Sequence, residues 1–368
     1  MEQNLMTNRI KVLIVDDSAL IRMLLTRALS QSPDIEVVGS AEDPIVAQDM
    51  IKTLNPDVLT LDIEMPKMDG LTFLKNIMRL RPMPVIMISS LTKKGANVTL
   101  KALEYGAVDF IAKPDSNIRE NLMAYTGILV EKIKAANKSN VSNMHTNVAN
   151  PIEATVSSTN SSSDSSSSKL EVITVGASTG GTEAIKHLII SLPATLPPIV
   201  MAQHIPPVFS TSFAKRLDSC TPIKVIEPTQ TMELKSGHAY LAPGDEHMKI
   251  FRSGGKLYLK IQRTDPVNRH RPSVDVLFNS VLETCGRNSL AVILTGMGAD
   301  GAKGLKKLKD AGAHTIAQDE ASSVVWGMPG AAVAMKAATE VIPLNKIAHR
   351  IASLALKANK LLIKDYDE

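Results

Sequence analysis

Aromatic residues make up only 3% of this 368-residue chain, and cysteine is nearly absent, with Cys220 and Cys285 alone. Without a CxxC or a His-flanked cysteine pair, a disulfide framework and a structural zinc site are both excluded, and a reducing compartment is indicated. So few aromatics leave the cores to Val, Ile, Leu, Ala and 17 Met. They also remove the base-stacking platforms on which single-stranded nucleic-acid binding relies. No apolar run approaches the ~18 residues of a membrane span. The first apolar run, in MEQNLMTNRIKVLIVDD, is too short and too acidic at its end for a signal peptide. These absences predict a cytoplasmic protein that neither enters membranes nor binds nucleic acid. Charge is present but uneven: residues 1–168 carry net −2 and residues 169–368 net +6, a mild excess that favours an acidic protein surface as partner.

What the chain does have in abundance is serine in one place. Nine of the twelve residues from Ser157 to Ser168 are serine, and 20 of the 32 from Asn137 to Ser168 are Ser, Thr or Asn. Such a stretch buries too little apolar area to offset its ordering entropy and reads as a flexible tether. It predicts a first domain over residues 1–135, a linker over 136–168 and a second domain over 169–368. Both flanks alternate β-branched runs with amphipathic helical stretches, the pattern of parallel α/β architecture. The fold class expected is α/β, two doubly wound parallel-sheet domains, with strands IKVLIV, IEVVGS, DVLTLD, PVIMIS and VDFIAK in the first. The second has EVITVG, PPIVMAQ, LAVILTG and AHTIAQ, and SGHAYLAPGDEHMKI, with His238 and His247, reads as a hairpin.

Ligands of parallel sheets gather beyond the carboxyl ends of the strands. In the first domain those positions hold Asp16 and Asp17, Asp62, Ser89 and Lys113. Converging carboxylates repel unless a cation sits among them, and an all-oxygen set suits Mg²⁺ completed by a phosphate oxygen. One carboxylate of such a set can itself accept a phosphoryl group. Singly, Asp16 or Asp17 is equally read as a cap of the following helix.

VDDS, LDIEMPKMDGL, MISS and the lysine of IAKP resemble the receiver domain of two-component response regulators over residues 9–133. The resemblance implies a flavodoxin-like fold with Asp62 as phosphoacceptor, Asp16 and Asp17 with Asp62 holding Mg²⁺, and Lys113 on the phosphoryl group. It further implies Ser89 as the switch hydroxyl, Phe110 at the aromatic switch position and a cis peptide bond at Lys113–Pro114.

In the second domain three strands each run into a reactive residue: Ser178 after EVITVG, His204 after PPIVMAQ, and Asp300 after LAVILTGMGA. On neighbouring parallel strands these supply a nucleophile, a general base and an orienting acid. Each has a plainer reading: Ser178 and Asp300 as helix caps, and His204 as one of eight histidines. The others fall in a helix (His187), in the SGHAYLAPGDEHMKI segment (His238, His247), in the basic loop NRHRP (His270) and at a strand start (His314). The flexible backbone of TGMGADG beside Asp300 suits an oxyanion site. GASTGGT also offers N–H donors at a helix start, as a phosphate cradle does. The P-loop pattern nevertheless lacks its lysine at Thr182, and Ser178 stands where a dinucleotide-binding loop needs its second glycine. G-x-S-x-G is satisfied, although the chain order Ser, His, acid is not that of α/β-hydrolases.

GASTGG, AQHIPP, NRHRPSVDVLF, TGMGADGA and QDEASSVVWGMP, in that order behind a receiver, resemble the protein-glutamate methylesterases of bacterial chemotaxis over residues 170–345. The resemblance implies a Rossmann-like catalytic domain that hydrolyses glutamate γ-methyl esters, and deamidates glutamines, on methyl-accepting chemoreceptors. It implies a Ser178, His204, Asp300 triad needing no cofactor, with Thr179 and the backbone near Met297 at the substrate or oxyanion. The partners implied are those receptors and a chemotaxis histidine kinase as phosphodonor, with phosphorylation as the activating signal. A phosphorylation-dependent binding module and a DNA-binding regulator are the other classes weighed, the latter without a helix-turn-helix pattern to support it.

Overall fold

The computed structural model describes residues 9–65, 68–113, 118–139 and 169–364. The chain divides into two compact units, Met1–His145 and Thr146–Glu368.

The first unit runs β1 (Ile10–Val15), α1 (Ala19–Leu29), β2 (Ile35–Ala41), α2 (Pro44–Leu54), β3 (Val58–Asp62), α3 (Gly70–Leu80), β4 (Val85–Ser89), α4 (Lys93–Glu104), β5 (Asp109–Ala112) and α5 (Ile118–Asn137). Its strands form one parallel sheet in the order β2-β1-β3-β4-β5. The interior strands β3 and β4 are buried at every residue, which is why they read as unbroken apolar runs instead of alternating ones. Helices start at side-chain caps: Ser18 for α1, Asp43 for α2, Asp69 for α3 and Thr92 for α4. Because Ser18 takes the cap of α1, Asp16 and Asp17 do not serve it. The closing helix α5 runs to Asn137, two residues beyond the expected domain end. The expected linker from residue 140 onward and the Lys113–Pro114 bond lie outside the described residues.

The second unit runs β6 (Val172–Ala177), α6 (Gly181–Ile190), β7 (Ile199–Gln203), α7 (Pro207–Cys220), β8 (Lys224–Ile226), β9 (Met232–Glu233), β10 (His238–Leu241), β11 (His247–Ser253) and β12 (Lys256–Gln262). It continues through α8 (Val274–Cys285), β13 (Ser289–Ile293), α9 (Ala302–Asp310), β14 (His314–Gln318), α10 (Met328–Ala334), β15 (Glu340–Ile342) and α11 (Leu344–Lys364). Seven strands make a parallel sheet, β15-β14-β13-β6-β7-β10-β8, and three make a separate antiparallel one, β11-β12-β9. The four strands expected in this unit are β14, β13, β6 and β7, its five interior strands less β10. The expected hairpin over SGHAYLAPGDEHMKI is not formed. His238 opens β10, which pairs in parallel with β7 and β8, whereas His247 opens β11, which pairs with β12. The scarce aromatics are spent here: Tyr240, Phe209, Phe213 and Phe278 are among the largest fully buried side chains.

In both sheets the chain leaves the first strand toward one edge and later returns on its other side. The switch points fall between β1 and β3 and between β6 and β13, the positions at which parallel sheets take their ligands.

Candidate active sites

At the β1/β3 switch point, one oxygen from each of Asp16, Asp17 and Asp62 lies within 4.8 Å of the others. Asp16 and Asp62 are buried and Asp17 is exposed. Lys113, just past β5, places its Nζ 2.7 Å from Asp62 Oδ2 and 3.6 Å from Asp16 Oδ2. Asp16 Oδ1 accepts the Ser18 N–H at 2.9 Å, but buried Asp16 Oδ2 has no hydrogen-bond partner. Burial, then the charge of Asp62, raises the Asp16 carboxyl to about 6 against the opposing pull of Lys113. Burial likewise raises Asp62, against its Lys113 hydrogen bond. Three acids facing one lysine, with one buried oxygen lacking a hydrogen bond, fit a hard divalent cation bound through oxygen. Ser89 ends β4 beside β3, its hydroxyl 2.7 Å from that of Thr99. Phe110 is buried in β5.

At the other switch point, Ser178 follows β6 and His204 follows β7, on adjacent strands. Asp300 lies on the loop after β13, the strand on the other side of β6. The Ser178 hydroxyl is 3.1 Å from His204 Nδ1, and His204 Nε2 is 2.8 Å from Asp300 Oδ2. The Ser178 cap reading fails: α6 is capped by Gly180 at φ 74, with no side-chain hydrogen bond. A glycine there lets the chain turn left-handed straight after the serine. Asp300 does not cap its own helix either, since the N-cap of α9 is Gly301, at φ 87.

Asp300 faces the start of α8 instead. It accepts the N–H groups of Val274 at 2.7 Å and Asp275 at 3.1 Å, the Ser273 hydroxyl at 2.9 Å and the Asn268 amide at 2.7 Å, besides His204. Burial works to raise its carboxyl, but these donors, with His204 foremost, hold it well below the usual carboxylate range. The positive end of α8 adds to that effect. An acid so held keeps its charge and fixes which imidazole nitrogen carries the proton.

Ser178 is pressed from the far side by the β13 loop. A Cβ at Gly296 would stand 2.8 Å from Ser178 Cβ, so only glycine allows this approach. Met297, half-buried, follows it. Thr179 is buried and its carbonyl accepts the Thr295 hydroxyl at 3.0 Å. Both expected oxyanion candidates therefore stand next to the serine or its loop.

Four contributors escaped the sequence reading. Asn268 and Ser273 hold Asp300 from the NRHRPSVDV segment. His270 stacks on His204, ring centroids 3.6 Å apart and 11° from parallel. Gln203 donates from Nε2 to the Ser178 carbonyl at 2.8 Å and the His204 carbonyl at 3.3 Å. The one available signal was Ser273 before VDVLF, a helix-start pattern that marks a cap but not its carboxylate neighbour.

Comparison with known proteins agrees with this layout. Residues 12–123 match the response regulator receiver domain model and residues 173–351 the CheB methylesterase model. A protein-glutamate methylesterase/protein-glutamine glutaminase of Saccharophagus degradans is 53% identical across 95% of this chain and 99% of its own length. Similarly named proteins from Nitrosomonas europaea and Hahella chejuensis are 51% and 54% identical, covering 97% and 92% of this chain and 99% and 94% of theirs.

Proposed function

The chain belongs to the protein-glutamate methylesterase/protein-glutamine glutaminase family, receiver domain first and methylesterase domain second, and from that premise we propose a serine-ester mechanism under receiver control. It is a hydrolase and a response regulator, and no helix among its described residues is long and apolar enough to cross a membrane. The substrates in this reading are glutamate γ-methyl esters, and glutamine amides, on the cytoplasmic helices of chemoreceptors, and the outcome is sensory adaptation in chemotaxis. The setting is the cytoplasm.

The observation that carries the mechanism is the unbroken chain from the Ser178 hydroxyl through His204 to Asp300, at 3.1 and 2.8 Å. Ser178 Oγ attacks the γ-carbonyl carbon while its proton passes to His204 Nδ1. Asp300 holds the ring through Nε2 and stabilises the imidazolium. N–H groups beside Thr179 and Met297 meet the developing oxyanion. His204 then returns the proton to the leaving group, which departs as methanol, or as ammonia from an amide substrate. Water repeats the sequence on the glutamyl ester, leaving a free carboxylate and restoring Ser178.

In the first unit, Asp62 accepts a phosphoryl group from a chemotaxis histidine kinase. Mg²⁺ held by Asp16, Asp17 and Asp62 supplies countercharge for that group when bound. Lys113 contacts its oxygens, and Ser89 and Phe110 register its arrival. Regulation follows if the unphosphorylated receiver obstructs the esterase site and the phosphorylated one fits there less well. A tether of this kind sets the two at an effective concentration of order millimolar, enough to populate a weak closed state.

Methanol release from methylated receptor tests the mechanism. Ser178→Ala should lower it by ~10³-fold or more, and substantial residual turnover sinks the proposal. Removing residues 1–150 should raise basal release, and a truncated enzyme no faster than the full chain defeats the obstruction.

A further inference from the structure

The antiparallel sheet of the second unit has no part in the mechanism above, yet one of its faces carries an unusual arrangement. In the β11–β12 pair, Lys249 stands directly opposite Lys260, Phe251 opposite Tyr258 and Ser253 opposite Lys256. Side chains alternate across a strand, so these six residues share one face. The opposite face holds Met248, Ile250 and Leu259, all buried in the core. Like charges directly opposite one another destabilise a sheet. The neighbouring lysine is compensated, since Lys256 pairs with Glu233 at 3.0 Å. Among the described residues Lys249 and Lys260 have no ion-pair partner. Lys260 leans over the Phe251 ring, 5.8 Å from its centroid, and that ring stacks on Tyr258 at 5.7 Å. Lys249, Phe251 and Lys260 also line a cavity of about 430 Å³ between β11 and α8, whose other charged wall residues are Arg252 and Glu283.

The position of the lysine pair matters as much as its charge. His247, two residues before Lys249, accepts the Ser273 N–H at 3.1 Å, and Ser273 in turn donates to Asp300. At ~3.3 Å per residue the lysines stand ~7 Å along the ribbon from His247. That distance is less than two turns of a helix lying across the site, at ~5.4 Å per turn. Strand addition is not the mode of contact on this edge, because Ser280 accepts the Ile250 N–H and Thr284 donates to the Ile250 carbonyl.

We propose that this face, centred on Lys249 and Lys260 with Phe251 and Tyr258 beside them, docks a glutamate-bearing stretch of the polypeptide substrate away from the ester being cleaved. The occupant follows from charge: two ammonium groups without an ion pair, on a segment of net +6 over residues 169–368, select carboxylates. It rests on the proposed function only in taking the substrate to be a receptor helix whose glutamates flank the reacting one. Carboxylates bound here relieve the lysine repulsion, hold the helix in register and speed its encounter with the site.

The test uses the full chain and a purified cytoplasmic receptor fragment. Titration calorimetry should show Lys249→Gln/Lys260→Gln binding about three- to tenfold more weakly than wild type, an effect that shrinks at high salt. KM for methanol release should rise by a similar factor with kcat unchanged. Hydrolysis of a free glutamate γ-methyl ester should not change, and the melting temperature should stay level or rise as the repulsion is removed. Lys249→Arg/Lys260→Arg should retain binding. Unaltered affinity in the glutamine variant overturns the proposal, as does parallel loss of the small-ester activity. Tight wild-type binding without methanol release sinks the esterase reading and leaves the docking face standing.

Discussion

Asp62 and Asp300 are both buried at the carboxyl edge of a parallel sheet, 1% and 3% exposed, and each sits at the switch point of its unit. Their surroundings differ in kind. Asp300 has five donors, including two helix-start N–H groups, and shares one of them, the Asn268 amide, with the Asp275 carboxylate. Asp62 has the Lys113 ammonium and the Glu64 N–H at 3.2 Å, and shares its lysine with Asp16. The first carboxyl is consequently held low and the second, like Asp16, is raised. In the proposed mechanism Asp300 orients a base, and its own chain satisfies it fully. Asp62, proposed to receive a metal and a phosphoryl group, is left short of partners that binding would supply.

The largest effect expected from breaking this contrast is on Asp300→Asn. The amide nitrogen replaces an acceptor with a donor, facing groups that also donate, and the negative charge is lost. Turnover of methylated receptor should fall by ~10³–10⁴-fold, and unfolding should become easier by about 2–4 kcal/mol as buried donors lose their acceptor. Asp62→Asn should abolish phosphorylation without lowering the melting temperature of the metal-free protein, since it removes repulsion. Calorimetric melting of the two variants compares them directly, and equal destabilisation contradicts the assignment of one site as satisfied and the other as short of partners.

A smaller effect, opposite in sign between the sites, comes from pH. Asp16 titrates near 6 when folded and near 3.9 when unfolded. Between those values the folded state binds more protons, so metal-free receiver stability is greatest below about 4 and declines as pH rises to about 6. The loss amounts to at most about 3 kcal/mol for a shift of about two units. Mg²⁺ should reverse it, stabilising the receiver more at pH 7.5 than at pH 5. Asp300, held low, behaves conversely: its contribution is present above the unfolded carboxylate range and disappears as pH falls below it. Hydrogen exchange of β1 and β3 amides in chelator and in Mg²⁺ reads the receiver term separately. A receiver most stable near neutral pH without metal contradicts the raised Asp16.

How much of this was legible beforehand depended on whether the determining contact was local. Strands such as VLTLD and VITVGA announce themselves because burial on both faces demands continuous β-branched and aliphatic residues, and the reactive residues follow directly behind them. Ser178, His204, Asp62 and Lys113 were therefore readable by position, and Asp300 by the glycine-rich loop that carries it seven residues past β13. HAYL and HMKIF alternate as a hairpin's arms do, but β10 finds its partners in Ile199–Met201 and Lys224–Ile226, far off in sequence. Asn268 and Ser273 were not readable as site residues for the same reason. Their carboxylate lies 32 and 27 positions downstream, and Asn268 reaches it from a left-handed backbone at φ 53 that no local pattern marks.

The mildest break in the contrast is Ser273→Ala. It deletes one of the five donors on Asp300 and the side-chain cap of α8, a long contact of 3.4 Å to the Val276 N–H. Four donors remain, so the carboxylate stays ionised and the active site stays assembled. Stability should fall by about 1 kcal/mol, the usual cost of losing a cap. If the hydroxyl also helps fix Asp300 against His204, kcat should drop about three- to tenfold, about 0.7–1.4 kcal/mol, with KM unchanged because Ser273 is buried behind Asp300. Ser273→Thr, which keeps the hydroxyl and still caps a helix, should recover both. Recovery of stability without recovery of kcat would separate the two roles and leave Asp300 positioned by Asn268 and the α8 amides alone.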